Sequence, residues 1–181
     1  MILDIVTYGH PALRSKGRRI EKVDEKILQL ADDMIDTMHD ADGLGLAAQQ
    51  VGMSLQMTVL DVPPLKKRPS RMWLNGEKFD FADLMPLVLL NPEVEKSGDI
   101  LIESEGCLSF PRLQADIPRP ERVRVKADLL DGGKIEFEAE GLLARAVQHE
   151  HDHLHGILFI DRMSAEDRKE IAADLAEFER G

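Results

Sequence analysis

The sequence predicts an α+β fold: antiparallel sheets packed around a central helix, with one helix near the N-terminus and another at the C-terminus. Three observations predict it. Apolar residues recur at helical spacing in three separated stretches. Between them lie short runs that alternate or cluster apolar residues and join through glycine turns, without the regular strand–helix alternation of a parallel sheet. The central helical stretch also carries His149-Glu150-His151-Asp152-His153, a spacing that suits metal ligation.

The elements follow in chain order. Asp24 to Met38 reads as a helix, because Ile27, Leu30, Ala31, Met34 and Met38 share one face, Asp24 is placed to cap it and Gly43 follows its end. A glycine-rich segment, Gly43-Leu44-Gly45-Leu46-Ala47-Ala48-Gln49-Gln50, comes next. Met57–Val62 and Leu87–Val94 read as strands. Val123, Val125, Ala127 and Leu129 alternate, and Asp131-Gly132-Gly133 turns the chain into Lys134–Glu140 as a hairpin. Leu142 to His155 is the central helix, stopped by Gly156 and followed by the apolar tail Ile157–Ile160. Ser164 begins the C-terminal helix, with Asp167 at the capping-box position.

Residues 63–86 interrupt this pattern with Pro63, Pro64, Pro69, Pro86, the basic cluster Lys66-Lys67-Arg68-Arg71 and the single Trp73. The stretch is too long for a hairpin loop and is read as a surface insertion holding one helical turn.

Composition narrows the function. A chain of 181 residues fits one domain, 1–181, with a core large enough to need no staples. A net charge of −11 argues against DNA or general nucleic-acid binding, which needs a basic footprint. Aromatic residues at 4% are too few for a base-stacking platform. No apolar run approaches the roughly 18 residues of a membrane span. The opening Met1–Arg14 stretch is broken by Asp4 and is not expected to act as a secretory signal. Cys107 is the sole cysteine, so no internal disulfide exists and a cytoplasmic setting is expected. Nothing demands a dimer, and a monomer is expected.

His149 and His153, four residues apart, stand one turn above each other on one helix face and can aim nitrogens at one ion. Glu150 lies about 100° around the helix, beside that ion, where it can handle the proton of a water. His151 is about 200° from His149, and His155 as far from His153, so neither shares the ion. A catalytic site of this kind uses three protein ligands. The third is either a downstream carboxylate, Asp161, Glu166, Glu170 or Glu177, or the upstream Cys107. Most of the carboxylates fall on a solvated helix, whereas a thiolate beside Gly106 is a strong ligand for iron or zinc.

Together three segments resemble the peptide deformylase family, whose pattern, with h for apolar, is G-h-G-h-A-A-x-Q, E-G-C-h-S and H-E-x-x-H. They stand in that order as Gly43 to Gln50, Glu105 to Ser109 and His149 to His153, with every fixed position filled. The resemblance also covers Ile5–Arg14, the hairpin and Leu158–Met163. It implies that Cys107, His149 and His153 hold a divalent metal, natively Fe²⁺, with Zn²⁺, Ni²⁺ or Co²⁺ as replacements. It implies that Glu150 is general base and then acid, and that the Gln50 side chain and Leu108 N–H stabilise an oxyanion. Leu44-Gly45 would bind the substrate backbone as an added strand, and the face around Leu142, Ala146 and His149 would line the methionine pocket. The substrate would be the formylmethionine end of a nascent polypeptide, met near the ribosome, and formate would be released.

The resemblance further pairs Asp152 with Arg119, the arginine after Pro118. Arg145, four residues before His149, is placed either at the site mouth or on a solvated face. The 63–86 insertion is longer than the corresponding connection in most relatives. It would be either a lid or a surface excursion, its basic cluster touching ribosomal RNA or water. Two other classes compete: a zinc endopeptidase with a downstream carboxylate as third ligand, and a non-catalytic binding module. Loss or change of the metal on Cys107→Ser would separate the first from a deformylase. Gln50 and Glu150 argue against the second, since a pure binder needs no base.

Overall fold

The computed structural model describes residues 1–181. Helix α1 spans Glu25–Asp40, and the Asp24 side chain accepts from the Ile27 N–H, as the capping pattern requires. Its buried face carries Ala31, Met34 and Met38. Helix α2 spans Leu142–Leu154. The C-terminal helix is broken at Ile171 into α3, Ala165–Glu170, and α4, Ala172–Arg180.

The strands are β1 (Gly45–Ala47), β2 (Met57–Leu60), β3 (Ser70–Leu74), β4 (Glu77–Phe79), β5 (Leu87–Cys107), β6 (Phe110–Asp128) and β7 (Lys134–Gly141). They form one antiparallel sheet in the order β1-β2-β5-β6-β7-β3-β4. Helix α2 lies against β1, β2, β3, β5, β6 and β7, so the helix with the H-E-x-x-H spacing is the centre of the fold. Its packing with β5, β6 and β7 buries Val123, Val125, Phe137, Leu143 and Val147. A second cluster fills the space between α1, β1 and β2 through Met34, Met38, Leu46, Met57 and Val59. A third joins the chain ends through Leu13, Phe110, Phe159 and Leu175.

Two expectations are corrected. Leu87–Val94 and Val123–Leu129 are only pieces of the long strands β5 and β6. Pro118 and Pro120 lie within β6, where a sequence reading stops a strand. β7 pairs with β6 only over Arg122–Asp128, so the stretch holding the prolines has a free outer edge on which a missing N–H is tolerated. The second correction concerns 63–86. Pro64–Lys67 is exposed and Phe81–Leu84 makes one helical turn. Ser70–Phe79, however, is not a surface excursion: β3 and β4 extend the sheet beyond β7.

The same segment also secures α2. Gly141 precedes the helix at φ 77°, a backbone conformation that favours glycine. Any Cβ there would collide with the Pro69 carbonyl oxygen. The Ser70 hydroxyl then accepts from the Leu143 N–H at 2.9 Å, satisfying one of the free donors of the helix start.

Phe110 anchors the third cluster: its ring stacks on Tyr8 at 5.0 Å and meets Phe159 edge-on at 4.9 Å. Phe110→Ala should lower stability by about 3–5 kcal/mol in denaturant unfolding, and a loss below about 1 kcal/mol would contradict this packing.

Candidate metal centre

Three distant segments meet at one point. The short turn after β1 brings Gln50, the end of β5 brings Cys107, and α2 brings His149, Glu150 and His153. Ligand atoms of Cys107, His149 and His153 all lie within 4.8 Å of one another. The Cys107 Sγ is 3.4 Å from His153 Nε2. Sulfur and nitrogen sharing one tetrahedral ion at ordinary bond lengths stand about 3.5 Å apart, so the pair is spaced for a common cation. His149 Nδ1 is taken by Glu105 at 2.8 Å, which leaves Nε2 as its ligand atom. One thiolate and two imidazoles form a donor set for a transition metal rather than for calcium or magnesium.

The charges around these atoms are uneven. Burial opposes a charge on His149, yet the Cys107 sulfur and Glu105 carboxylate hold its pKa well above the usual histidine value. His153 is pushed well below by burial and by His149. Burial raises Glu150 to about 7 against the pull of His149 and Arg119. Its Oε2 has no hydrogen-bond partner. Its Oε1 would lie 2.8 Å from a Cβ at position 45, so only glycine lets β1 run this close to the carboxylate.

Gln50 is buried, and its orientation follows from its bonds. Oε1 accepts from the Ala47 N–H at 3.0 Å, while Nε2 donates to Ser109 Oγ at 3.2 Å and faces Cys107 Sγ at 3.6 Å. The amide donor therefore points at the ligand cluster. A cavity of about 500 Å³ opens over it, lined by Leu44, Gly45, Leu108, Leu142 and Ala146 among others. Gly45 sits on the sheet's edge strand. The Leu44 carbonyl accepts from the Asp61 N–H, and antiparallel alternation therefore turns the Gly45 amide and carbonyl toward the cavity.

Behind the ligands lies a buried ion network. Glu105 accepts from Arg119 Nε at 2.6 Å and Nη2 at 2.9 Å, from Arg145 Nη1 at 2.7 Å, and meets His149. Burial opposes its charge, but His149 and Arg119 hold its pKa well below the usual carboxylate range. Arg119 Nη1 also donates to Asp152 at 3.0 Å, the expected pair, and Arg162 donates to the other side of Asp152. Of its two expected placements Arg145 takes the one at the site, since it lines the cavity and is not on a solvated face. It is buried and anchored by Glu103, Glu105 and the Leu101 and Ile117 carbonyls.

Among the other candidates, Asp161 pairs with Arg14 and Arg168 and lies outside the ligand cluster, as do Glu166, Glu170 and Glu177. His151 and His155 tilt against each other at 4.5 Å, away from the ion site. Sequence reasoning missed the role of Glu105 as the joint between both ligand segments, although it opens the E-G-C-h-S motif. It also missed Ser109 as the anchor of Gln50.

Residues 2–169 match the family described as Polypeptide deformylase. The chain belongs to the peptide deformylase family. A peptide deformylase of Methylacidiphilum infernorum is 46% identical over 100% of this chain and 95% of its own length. One of Opitutus terrae is 42% identical over 97% and 92%. The crystal structure of peptide deformylase from Ehrlichia chaffeensis superposes with a TM-score of 0.84, at 35% identity, covering 99% of this chain and 98% of that one. A peptide deformylase is a metal-dependent hydrolase that removes the N-formyl group from nascent peptides, and this chain has that function.

Arg119 is 2% exposed and neutralises two buried carboxylates. Arg119→Ala should cost about 3–5 kcal/mol in equilibrium unfolding, because it strands part of the charge on Glu105 and Asp152. A cost below about 1 kcal/mol would show that the network does not hold the fold.

Proposed function

We propose that Cys107, His149 and His153 hold Fe²⁺, replaceable by Zn²⁺, Ni²⁺ or Co²⁺, and that the cavity above them takes the formylmethionine end of a nascent polypeptide. The observation that carries this reading is the convergence of one sulfur and two imidazoles beside a buried carboxylate and an inward-pointing amide. When bound, the cation polarises the formyl carbonyl and makes a water easier to deprotonate.

The chain's own residues do the rest. The cavity-facing Gly45 amide and carbonyl hold the peptide backbone as an added strand at the sheet edge. Leu142 and Ala146 line an apolar pocket for the methionine side chain. Glu150 takes the proton from the attacking water as its oxygen bonds to the formyl carbon. Gln50 Nε2 and the Leu108 N–H donate to the carbonyl oxygen as it gains negative charge. Glu150 then passes its proton to the amide nitrogen, the carbon–nitrogen bond breaks, and formate and a free amine leave. The unpartnered oxygen of Glu150 is the acceptor this step requires. Gly45 at β1 gives the substrate access to it.

A lone cysteine that serves as a ligand suits a reducing cytoplasm, where the protein would meet its nascent-chain substrate transiently at the ribosome.

The test is formate release from a short formyl-methionyl peptide, with protein purified without oxygen and loaded with Fe²⁺ or Ni²⁺. Rapid release that stops on chelation is expected. Glu150→Gln should retain the metal and lose about 10²–10⁴ in kcat. A Glu150→Gln variant as active as the parent would overturn the mechanism.

A further inference from the structure

The lining of the cavity over the ligand cluster carries both an exposed acid and two arginines outside the buried ion network. On the β1 side its exposed acid is Asp42. It is also lined by the half-buried Arg68, which follows the exposed Pro64–Lys67 stretch, and by the exposed Arg112, near the start of β6. This is unexpected in a chain of net charge −11, whose long-range field repels acidic peptides.

The three arginines of the lining are not alike. Arg145 is buried and saturated by Glu103 and Glu105. Arg68 Nη2 reaches Glu103 at 3.0 Å, so Glu103 is shared and the guanidinium is held against the wall, with further N–H groups left over. Arg112 is exposed and has no carboxylate partner. It also holds a φ of 65°, a conformation uncommon for a residue other than glycine. Such outliers gather at binding sites, where a side chain must be aimed rather than left to relax. The chain thus places a cation without a carboxylate partner in the lining of the cavity that also holds Gly45 of β1, the strand beside which the peptide would lie.

We propose that Arg112, backed by Arg68, reads the charge of the residues following formylmethionine and favours an acidic side chain there over a basic one. The inference rests on the deformylase reading and deepens it: it assigns a preference beyond the first residue of the substrate. Arg112 makes no hydrogen bond or ion pair with Glu150, Cys107, His149 or His153, so its proposed part is in substrate recognition. The ion pair it would form is solvent-exposed, so its effect is modest and sensitive to salt.

The experiment compares kcat/KM for formyl-Met-X-Ala and formyl-Met-Ala-X peptides, with X as Glu, Gln or Lys, on the metal-loaded enzyme. At one of the two positions the Glu-to-Lys ratio should be about 3–10 at low ionic strength and fall toward 1 in about 1 M salt. Arg112→Ala should bring the ratio close to 1, Arg112→Glu should invert it, and Arg112→Lys should keep most of it. Each ratio is internal to one enzyme, so a loss of folded protein does not alter it. A ratio near 1 at both positions in the parent enzyme, or one unchanged by Arg112→Ala, would overturn this inference and leave the deformylase reading standing. No formate from the Gln peptides would overturn both.

Discussion

One carboxylate holds the site together. Glu105 sits near the end of β5, accepts two bonds from Arg119 on β6, a third from Arg145 on α2, and meets the ring of His149. A buried carboxylate is costly unless such donors surround it, so the four groups settle into a single arrangement or the charge is stranded. That arrangement orients His149. It also places Cys107, two residues farther along β5, opposite α2. Asp152 repeats the device from the other side of α2, held by Arg119 and Arg162. The His149 ring is therefore held from behind, with its Nε2 left free toward the cavity.

Close approach of backbone to side chain is the second constraint. At Gly45 the edge strand touches the Glu150 carboxylate, and at Gly141 the chain passes under the Pro69 carbonyl before entering α2. Both positions place the backbone where a side chain would stand. The first brings a free strand edge to that carboxylate, and the second lets Ser70 cap the helix that carries His149 and His153. The 63–86 segment thus has two parts in the structure: a strand pair that fastens α2, and Arg68, which lines the cavity.

Much of this was legible in the sequence, for identifiable reasons. Helix ends follow from local spacing and caps, and Asp24 to Met38 and Leu142 to His155 differ from α1 and α2 by a residue or two. The histidine pair follows from the helix period, and Cys107, Gln50 and Glu150 from three motifs in order. What depends on pairing across the chain was not legible. The extent of β5 and β6 was hidden by prolines that sit on a free edge, and the placement of β3 beside β7 by the distance between them. Spacing left Arg145 open between the site mouth and a solvated face because its partners, Glu103 and Glu105, lie about forty positions away in sequence. The Arg119–Asp152 pair was expected only through the family resemblance, since spacing alone gives no reason for it.

Cys107, His149 and His153, with His149 oriented by Glu105, form one site for a single cation. X-ray absorption at the metal edge of zinc-loaded protein tests it most directly. One sulfur scatterer at about 2.3 Å and two imidazole nitrogens at about 2.0–2.1 Å are expected. A first shell of nitrogen and oxygen alone would contradict it and would return the third ligand to a carboxylate.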